Sequence, residues 1–333
     1  MSPSKVLVVV GITGNQGSSV ANAFLNLQGW HIRGITRNLS SPTAQQLTSK
    51  GVEIVKADLD DIASLESAFH GASAIFAVTD TYNHMFNPAN FPKAQEAGIS
   101  VNEYACNLET TQAMNIAIAA NSPAVSSTLT HFVFSSLSDT KRWSKGKYTW
   151  NFHFDGKAQA VKRIREELPD LAVKLSTVQV GMYASNWKAG LGRPQKREDG
   201  SFVVQIPEVP EVELPWIVVD RDTGVYVKAL LENFPGMNVL AYTQMTTWRE
   251  FWTLWADVRN VKIDIKVVGL DDYFKTLPEF LSREFQDSLR YIVEFGYTGG
   301  DPDVCSTLQD LSPEARIASL KEYIEGEDWS SLE

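Results

Sequence analysis

The chain has 333 residues, of which 44% are hydrophobic and 21% charged, and a formal net charge of −10. That size and balance suit one large globular domain or two intimate ones, and the excess of acid excludes a basic face for nucleic acid or anionic lipid. Two cysteines, Cys106 and Cys305, exclude a disulfide framework and read as buried thiols in a reducing compartment.

Val6–Val10 is the first apolar run. Three glycines follow it, then a helical pattern over Gly17–Leu27 with Val20, Phe24 and Leu27 on one face. Further strand-like runs are His31–Thr36, Val52–Ala57, Ala72–Thr79, Thr130–Leu137 and Ala172–Gln179. Helical segments separate them: Ile62–Phe69, started by Asp60 or Asp61; Ile99–Asn121; and Lys157–Leu168. Strands this apolar cannot face water on one side, so the pattern predicts an α/β fold, a doubly wound parallel sheet with helices on both faces. After residue 180 the pattern changes. Pro194, Pro207, Pro210 and Pro215 punctuate a region that reads as loops. Thr247 to Glu250 is a capping box opening an aromatic-rich helix, Val261–Val268 reads as a strand and Pro278–Phe295 as a helix. The expected division is a nucleotide-binding domain over 1–185 and a smaller α+β domain over 186–333, the two interleaved in space, ending in a frayed acidic tail from Gly326. No apolar run reaches the roughly 18 residues of a membrane helix. The N-terminus lacks a signal-peptide layout, so a cytoplasmic or nuclear protein is expected. The five histidines show no metal-ligand spacing.

The glycines carry the first chemistry. Gly11, Gly14 and Gly17 stand where the first strand gives way to a helix. A diphosphate can rest there on backbone N–H groups, helped by the helix dipole. The G-x-x-G-x-x-G spacing is one residue wider at the front than the usual dinucleotide fingerprint. An acid is expected about 20 residues further on for NAD, or an arginine for NADP. The stretch "GITRN" offers Arg37 and no acid, which favours NADP, because a guanidinium grips a 2′-phosphate that a carboxylate would repel. In "KADLDD", Asp58 and Leu59 are placed to flank an adenine, although Asp58 and Asp60 can equally cap the next helix.

Together "VVVGITGNQGSSVANAFL", "GITRN", "VKADLDD", "HFDGKAQAVKRIRE" and "LPWIVVDRDTGVYVKALLEN" resemble the NmrA-like branch of the atypical short-chain dehydrogenases, over nearly the whole chain. The resemblance implies a Rossmann domain with a small α+β domain over the cofactor cleft. It implies that Gly11, Thr13, Gly14, Asn15, Gln16 and Gly17 hold the diphosphate, and Arg37 with Asn38 the 2′-phosphate end. By the same resemblance Thr79 lies near the ribose and nicotinamide, Lys157 bonds the nicotinamide ribose, and Tyr183 and Asn186 of "GMYASN" close over the ring. The family's usual proline before that glycine is absent, since the chain reads "TVQVGMY".

A short-chain dehydrogenase uses Tyr-x-x-x-Lys, with the tyrosine moving the substrate proton. Here the five residues are His153-Phe-Asp-Gly-Lys157, so the lysine is present and the tyrosine is not. His153, Tyr148, Tyr183 or water is the alternative proton donor, or else His153 only packs at the helix start. Ser135 and Ser136 end a strand where a serine can meet a substrate carbonyl or merely satisfy backbone groups. Trp143, Trp150 and Trp187 are candidates to line an aromatic pocket, whereas Trp248, Phe251, Trp252 and Trp255 read as core. Two functions fit: an NADP(H)-dependent oxidoreductase acting on a small, possibly aromatic molecule, or a non-catalytic NADP(H) sensor that binds a regulatory protein.

Overall fold

The computed structural model describes residues 5–209, 211–305 and 307–332, so Pro210 and the side chain of Cys305 lie outside the described residues. Six strands fall within a few residues of the apolar runs: β1 (Lys5–Val9), β2 (Trp30–Thr36), β3 (Glu53–Lys56), β4 (Ala74–Ala77), β5 (His131–Ser136) and β6 (Leu175–Val180). They form one parallel sheet in the order β3-β2-β1-β4-β5-β6. Asn238–Ala241 and the two-residue strand Val304–Cys305 extend it beyond β6, also in parallel. The sheet therefore takes strands from both sides of residue 185.

Both faces of the sheet are covered, which is why its strands are apolar throughout. Leu7 and Val9 point to one face, against Phe24 of α1 (Asn15–Phe24) and the helix Val219–Leu231. Val8 and the following Val10 point to the other, against Ala113 and Ile116 of the long helix Val101–Asn121 and Leu65 of α3 (Ile62–Phe69), itself capped by Asp61 and not Asp60. None of the four valine and leucine side chains is more than 1% exposed. α1 and Val219–Leu231 pack closely at Gly224, where a Cβ would stand 2.3 Å from the Ser19 carbonyl oxygen.

The second half is more regular than its prolines suggest. Pro207 ends the strand Phe202–Pro207, which pairs in parallel with Ile263–Val268. Pro215 sits in the four-residue strand Leu214–Ile217, the middle of another three-stranded sheet. In strands this short, a proline removes one ladder donor and the neighbours keep the pairing. The Thr247–Glu250 capping box forms and opens the helix Trp248–Arg259. Its Trp248, Phe251, Trp252 and Trp255 are buried with Trp216, so the aromatic stripe is core. Trp187 joins that core and does not line a pocket: it stacks on Trp329 with centroids 4.3 Å apart. The expected fraying of the tail is overturned by the same contact, since Trp329 and Leu332 are buried. A large aromatic surface removed from water outweighs the repulsion among the tail's acids. Among the described residues no helix is long and apolar enough to cross a membrane.

Candidate cofactor and active site

The chain leaves β3 at one edge of the sheet and returns to β4 on the other side of β1. Between the carboxyl ends of β1 and β4 the connections diverge, and ligands of open α/β sheets bind in that crevice. The loop Val10–Gly14 and the start of α1 form one lip, and Thr79 and Asp80, just beyond β4, form the other.

The three glycines differ in what they permit. Gly11 has φ +71°, which favours glycine in the turn. At Gly17 a Cβ would lie 2.2 Å from the Gly11 carbonyl oxygen, so the loop folds directly onto the helix. At Gly14, the N-cap of α1, a Cβ would meet only the Gly11 oxygen at 3.4 Å. Protein packing does not demand a glycine there. α1 carries no side-chain cap and no acid in its first turn. Among the described residues nothing accepts from the N–H groups of Asn15, Gln16 and Gly17. Thr13, Gly14 and Asn15 are exposed, so these donors face an open space that suits an anion. The residues present thus fit a dinucleotide diphosphate.

Arg37 is exposed at the end of β2 and has no hydrogen-bond or ion-pair partner among the described residues. Arg33, by contrast, is held by Glu53 and the carbonyls of Ala68 and His70. Asn38 is exposed beside Arg37, its Oδ1 accepting from the backbone and hydroxyl of Ser40. Asp58 and Leu59 follow β3 on the same edge. Asp58 Oδ1 accepts from the Asp60 backbone, and the Leu59 carbonyl accepts from Asn115. Asp60 does not cap α3; it accepts from Gln112.

Under the β4 lip lies a buried ion pair. Lys157, on the helix Phe152–Glu167, donates to the Thr79 carbonyl at 2.9 Å and to Glu109 Oε1 at 2.5 Å, with Thr79 Oγ1 at 3.3 Å. Glu109 is fully buried and also accepts from the hydroxyls of Thr79 and Thr81. All three ammonium donors of Lys157 are engaged by protein groups, so the lysine fixes Thr79 and the turn that carries it.

Tyr183 closes the crevice from the other side. It follows β6, and its Oη accepts from Gln16 Nε2 at 2.9 Å, a bond between the glycine loop and the opposite wall. Gln16 Oε1 is buried without a partner. Burial pushes the Tyr183 phenol up from its ordinary pKa, and the Gln16 contact partly opposes that. Asn186 lies half-buried in the following 3-10 turn, Ala184–Ala189.

Two expected proton donors bond carboxylates on a neighbouring helix. The helix carrying Lys157 starts at Phe152, five residues earlier than its apolar pattern shows, which puts His153 in the first turn. There its Nδ1 bonds Glu284 Oε1 at 2.7 Å, across to the helix Glu279–Phe295. Tyr148 gives its hydroxyl to Glu294 at 2.8 Å and packs on Tyr291 and Phe295. Ser135 and Ser136 are buried, and Ser136 Oγ turns to the Leu137 carbonyl. Trp143 stands under the Arg142 guanidinium. Trp150 lines a groove of about 700 Å³ with Phe91, Phe280 and Arg283. Cys106 is buried and unreactive, its thiol pushed up to about 12 by burial.

Asp155 lies between His153 and Lys157 and is 1% exposed; burial pushes its carboxyl up to about 7. The folded chain therefore binds this proton more tightly than the unfolded chain does. The stabilisation is complete below the unfolded value of about 4 and is lost as pH rises through about 7. Asp155→Asn is expected to raise Tm at about pH 8 and to leave it near wild type at about pH 4. Melting curves at the two pH values check this, and an unchanged Tm at the higher pH contradicts it.

The model of the NmrA-like family matches residues 3–324. The chain belongs to the NmrA-like family. One relative is the NmrA-like family domain-containing oxidoreductase cpsB of Aspergillus campestris, 29% identical over 96% of this chain and 93% of its own. Among solved structures, the transcriptional regulator NmrA in complex with NADP superposes with a TM-score of 0.69 at 19% identity, covering 98% of this chain and 95% of that one. The leucoanthocyanidin reductase of Vitis vinifera in complex with NADPH gives 0.68 at 16% identity, covering 96% and 98%. At these identities the superpositions establish a shared Rossmann-type fold.

Within this NmrA-like chain, sequence reasoning passed over Glu109, Glu284 and Tyr82. Glu109 interrupts an apolar stripe at Cys106, Ala113 and Ala117, and a charge at that spacing is the mark of a buried partner. Glu284 likewise shares the buried face of Leu281 and Ser288. Tyr82 follows Thr79 by three residues and lines a cavity of about 510 Å³ at the mouth of the crevice, with Asp80, Asn83, Phe86 and Asn87.

Proposed function

We propose that this NmrA-like protein is an NADP(H)-dependent reductase of a small organic molecule with aromatic character. The observation that carries the reading is the open, unbonded first turn of α1 beside an unpartnered Arg37. Gly14 to Gly17 would take the diphosphate and Arg37 the 2′-phosphate, with Thr79, Lys157 and Tyr183 around the nicotinamide half. The bound cofactor supplies a hydride. The chain's own residues orient it: Lys157 and Glu109 hold the Thr79 turn, and Tyr183 fixes the opposite wall through Gln16. The oxidoreductase names among relatives and the reductase names among solved neighbours support this direction. Half-buried Tyr82 and exposed Phe86 at the mouth of the crevice favour a flat apolar substrate.

Arg37→Glu is expected to weaken NADPH binding about 10- to 100-fold, the scale of one or two charge-assisted hydrogen bonds, while NADH affinity stays the same or improves. Fluorescence titration with both cofactors checks this, and equal NADPH affinity in the variant overturns the assignment of Arg37. NADPH oxidation with a panel of quinones and aryl enones tests the reaction. Firm cofactor binding without turnover moves the reading to a cofactor sensor with a protein partner.

A further inference from the structure

Reduction needs an acid at the oxygen where negative charge collects, and Lys157 and Tyr148 among the expected residues have their donors engaged. Lys157 has all its donors on Thr79 and Glu109. His153 Nδ1 is held by Glu284 and Tyr148 gives its hydroxyl to Glu294, whereas Tyr183 Oη accepts from Gln16 and keeps its own proton. Tyr297, a further tyrosine beside Tyr183, gives its hydroxyl to the Val180 carbonyl at 2.9 Å. Tyr82 differs from Lys157, Tyr148 and Tyr297. It is half-buried, and its hydroxyl has no hydrogen-bond partner among the described residues. Its ring is fixed between His153, at a centroid distance of 5.4 Å, and Phe285, at 6.2 Å. The short helix that carries it, Thr81–Met85, is capped by Asp80 and tied through Thr81 to Glu109, and so to Lys157.

We infer that Tyr82 is the proton donor of the reduction, in place of the tyrosine missing from the Tyr-x-x-x-Lys pattern, and that the substrate is a carbonyl compound or enone with an aromatic ring lying against Phe86. This deepens the reductase reading and rests on it. The substrate carbon gains a C–H bond and two electrons from the reduced nicotinamide. In a carbonyl compound the C=O pair moves to oxygen, and in an enone the C=C pair shifts to make the enol double bond while the C=O pair moves to oxygen; that oxygen takes the proton from Tyr82 Oη. The nicotinamide ends oxidised, and water at the open mouth returns a proton to the phenolate. Burial, then the negative charges of Glu284, Asp80 and Glu109, hold the phenol protonated well above the usual tyrosine range, so Tyr82 keeps its proton until the substrate oxygen becomes basic.

Tyr82→Phe removes one unbonded oxygen and keeps the ring contacts, so the variant should fold. It is expected to lower kcat with the quinone and enone panel about 100-fold or more while leaving the KM for NADPH unchanged. In NMR of isotope-labelled tyrosine, the Cζ signal absent from Tyr82→Phe should shift when NADP+ is added to wild type. Full turnover in Tyr82→Phe, a loss confined to Tyr183→Phe, or a Tyr82 signal unmoved by bound NADP+ overturns the role of Tyr82 and leaves the reductase reading standing. A wild type that binds NADPH and reduces nothing in the panel overturns the reductase reading, and the role of Tyr82 with it.

Discussion

Gly14→Ala should fold and lose its cofactor, whereas Gly17→Ala should fail to fold well at all. At Gly17 the added carbon meets three backbone atoms of Gly11 and Ile12 at 2.2 to 2.7 Å. No side-chain rotation relieves a backbone contact, so the loop must come off the helix, at a cost on the order of 3 kcal/mol or more. The better helix propensity of alanine returns about 1 kcal/mol and does not offset this. At Gly14 the added carbon has room, its φ of −91° is ordinary for alanine, and the weaker N-cap costs about 1 kcal/mol or less. The methyl group stands where the free N–H groups of α1 open to solvent, so NADP(H) affinity should fall about tenfold or more. Thermal melts and fluorescence titration of the two variants separate the effects. Equal loss of stability in both, or undiminished affinity in Gly14→Ala, contradicts this account of the loop.

The Lys157–Glu109 pair carries the second large effect. Removing either partner leaves a buried charge alone, which costs about 3 to 5 kcal/mol. Lys157→Met strands the Glu109 carboxylate with only two threonine hydroxyls to stabilise it. Glu109→Gln keeps an acceptor for those hydroxyls but leaves the ammonium uncompensated. The double variant Glu109→Gln with Lys157→Met should be more stable than the sum of the singles predicts, by about 2 to 3 kcal/mol. Denaturant melts of the four proteins give that coupling. Additive losses would mean that the two side chains act independently, and the ion pair would then contribute nothing to holding the Thr79 turn.

The edge of the sheet that carries these groups was legible in the sequence, because a buried parallel strand followed by glycines and a helix has few other readings. The apolar runs gave six strands to within a few residues, and the Thr247–Glu250 box marked its helix start. What escaped depended on partners far along the chain. Asn238–Ala241 is four residues long, and its pairing with β6 is not written locally. The helix Val219–Leu231 breaks its apolar pattern at Asp222, Thr223 and Gly224, because Gly224 answers to Ser19, 205 residues away. Spacing put His153 where a catalytic tyrosine would stand. Its direction was set by Glu284 on a helix 131 residues further on, which no local motif reports. The unpartnered hydroxyl of Tyr82 belongs to the folded chain, and no local spacing reports it.

The central claim is that the first turn of α1 and Arg37 together make an NADP(H) site. Calorimetric titration of the full chain with NADPH and with NADH tests it most directly. The account predicts one NADPH bound per chain, about tenfold or more tighter than NADH. No heat with either cofactor, or NADH binding as tightly as NADPH, would contradict it.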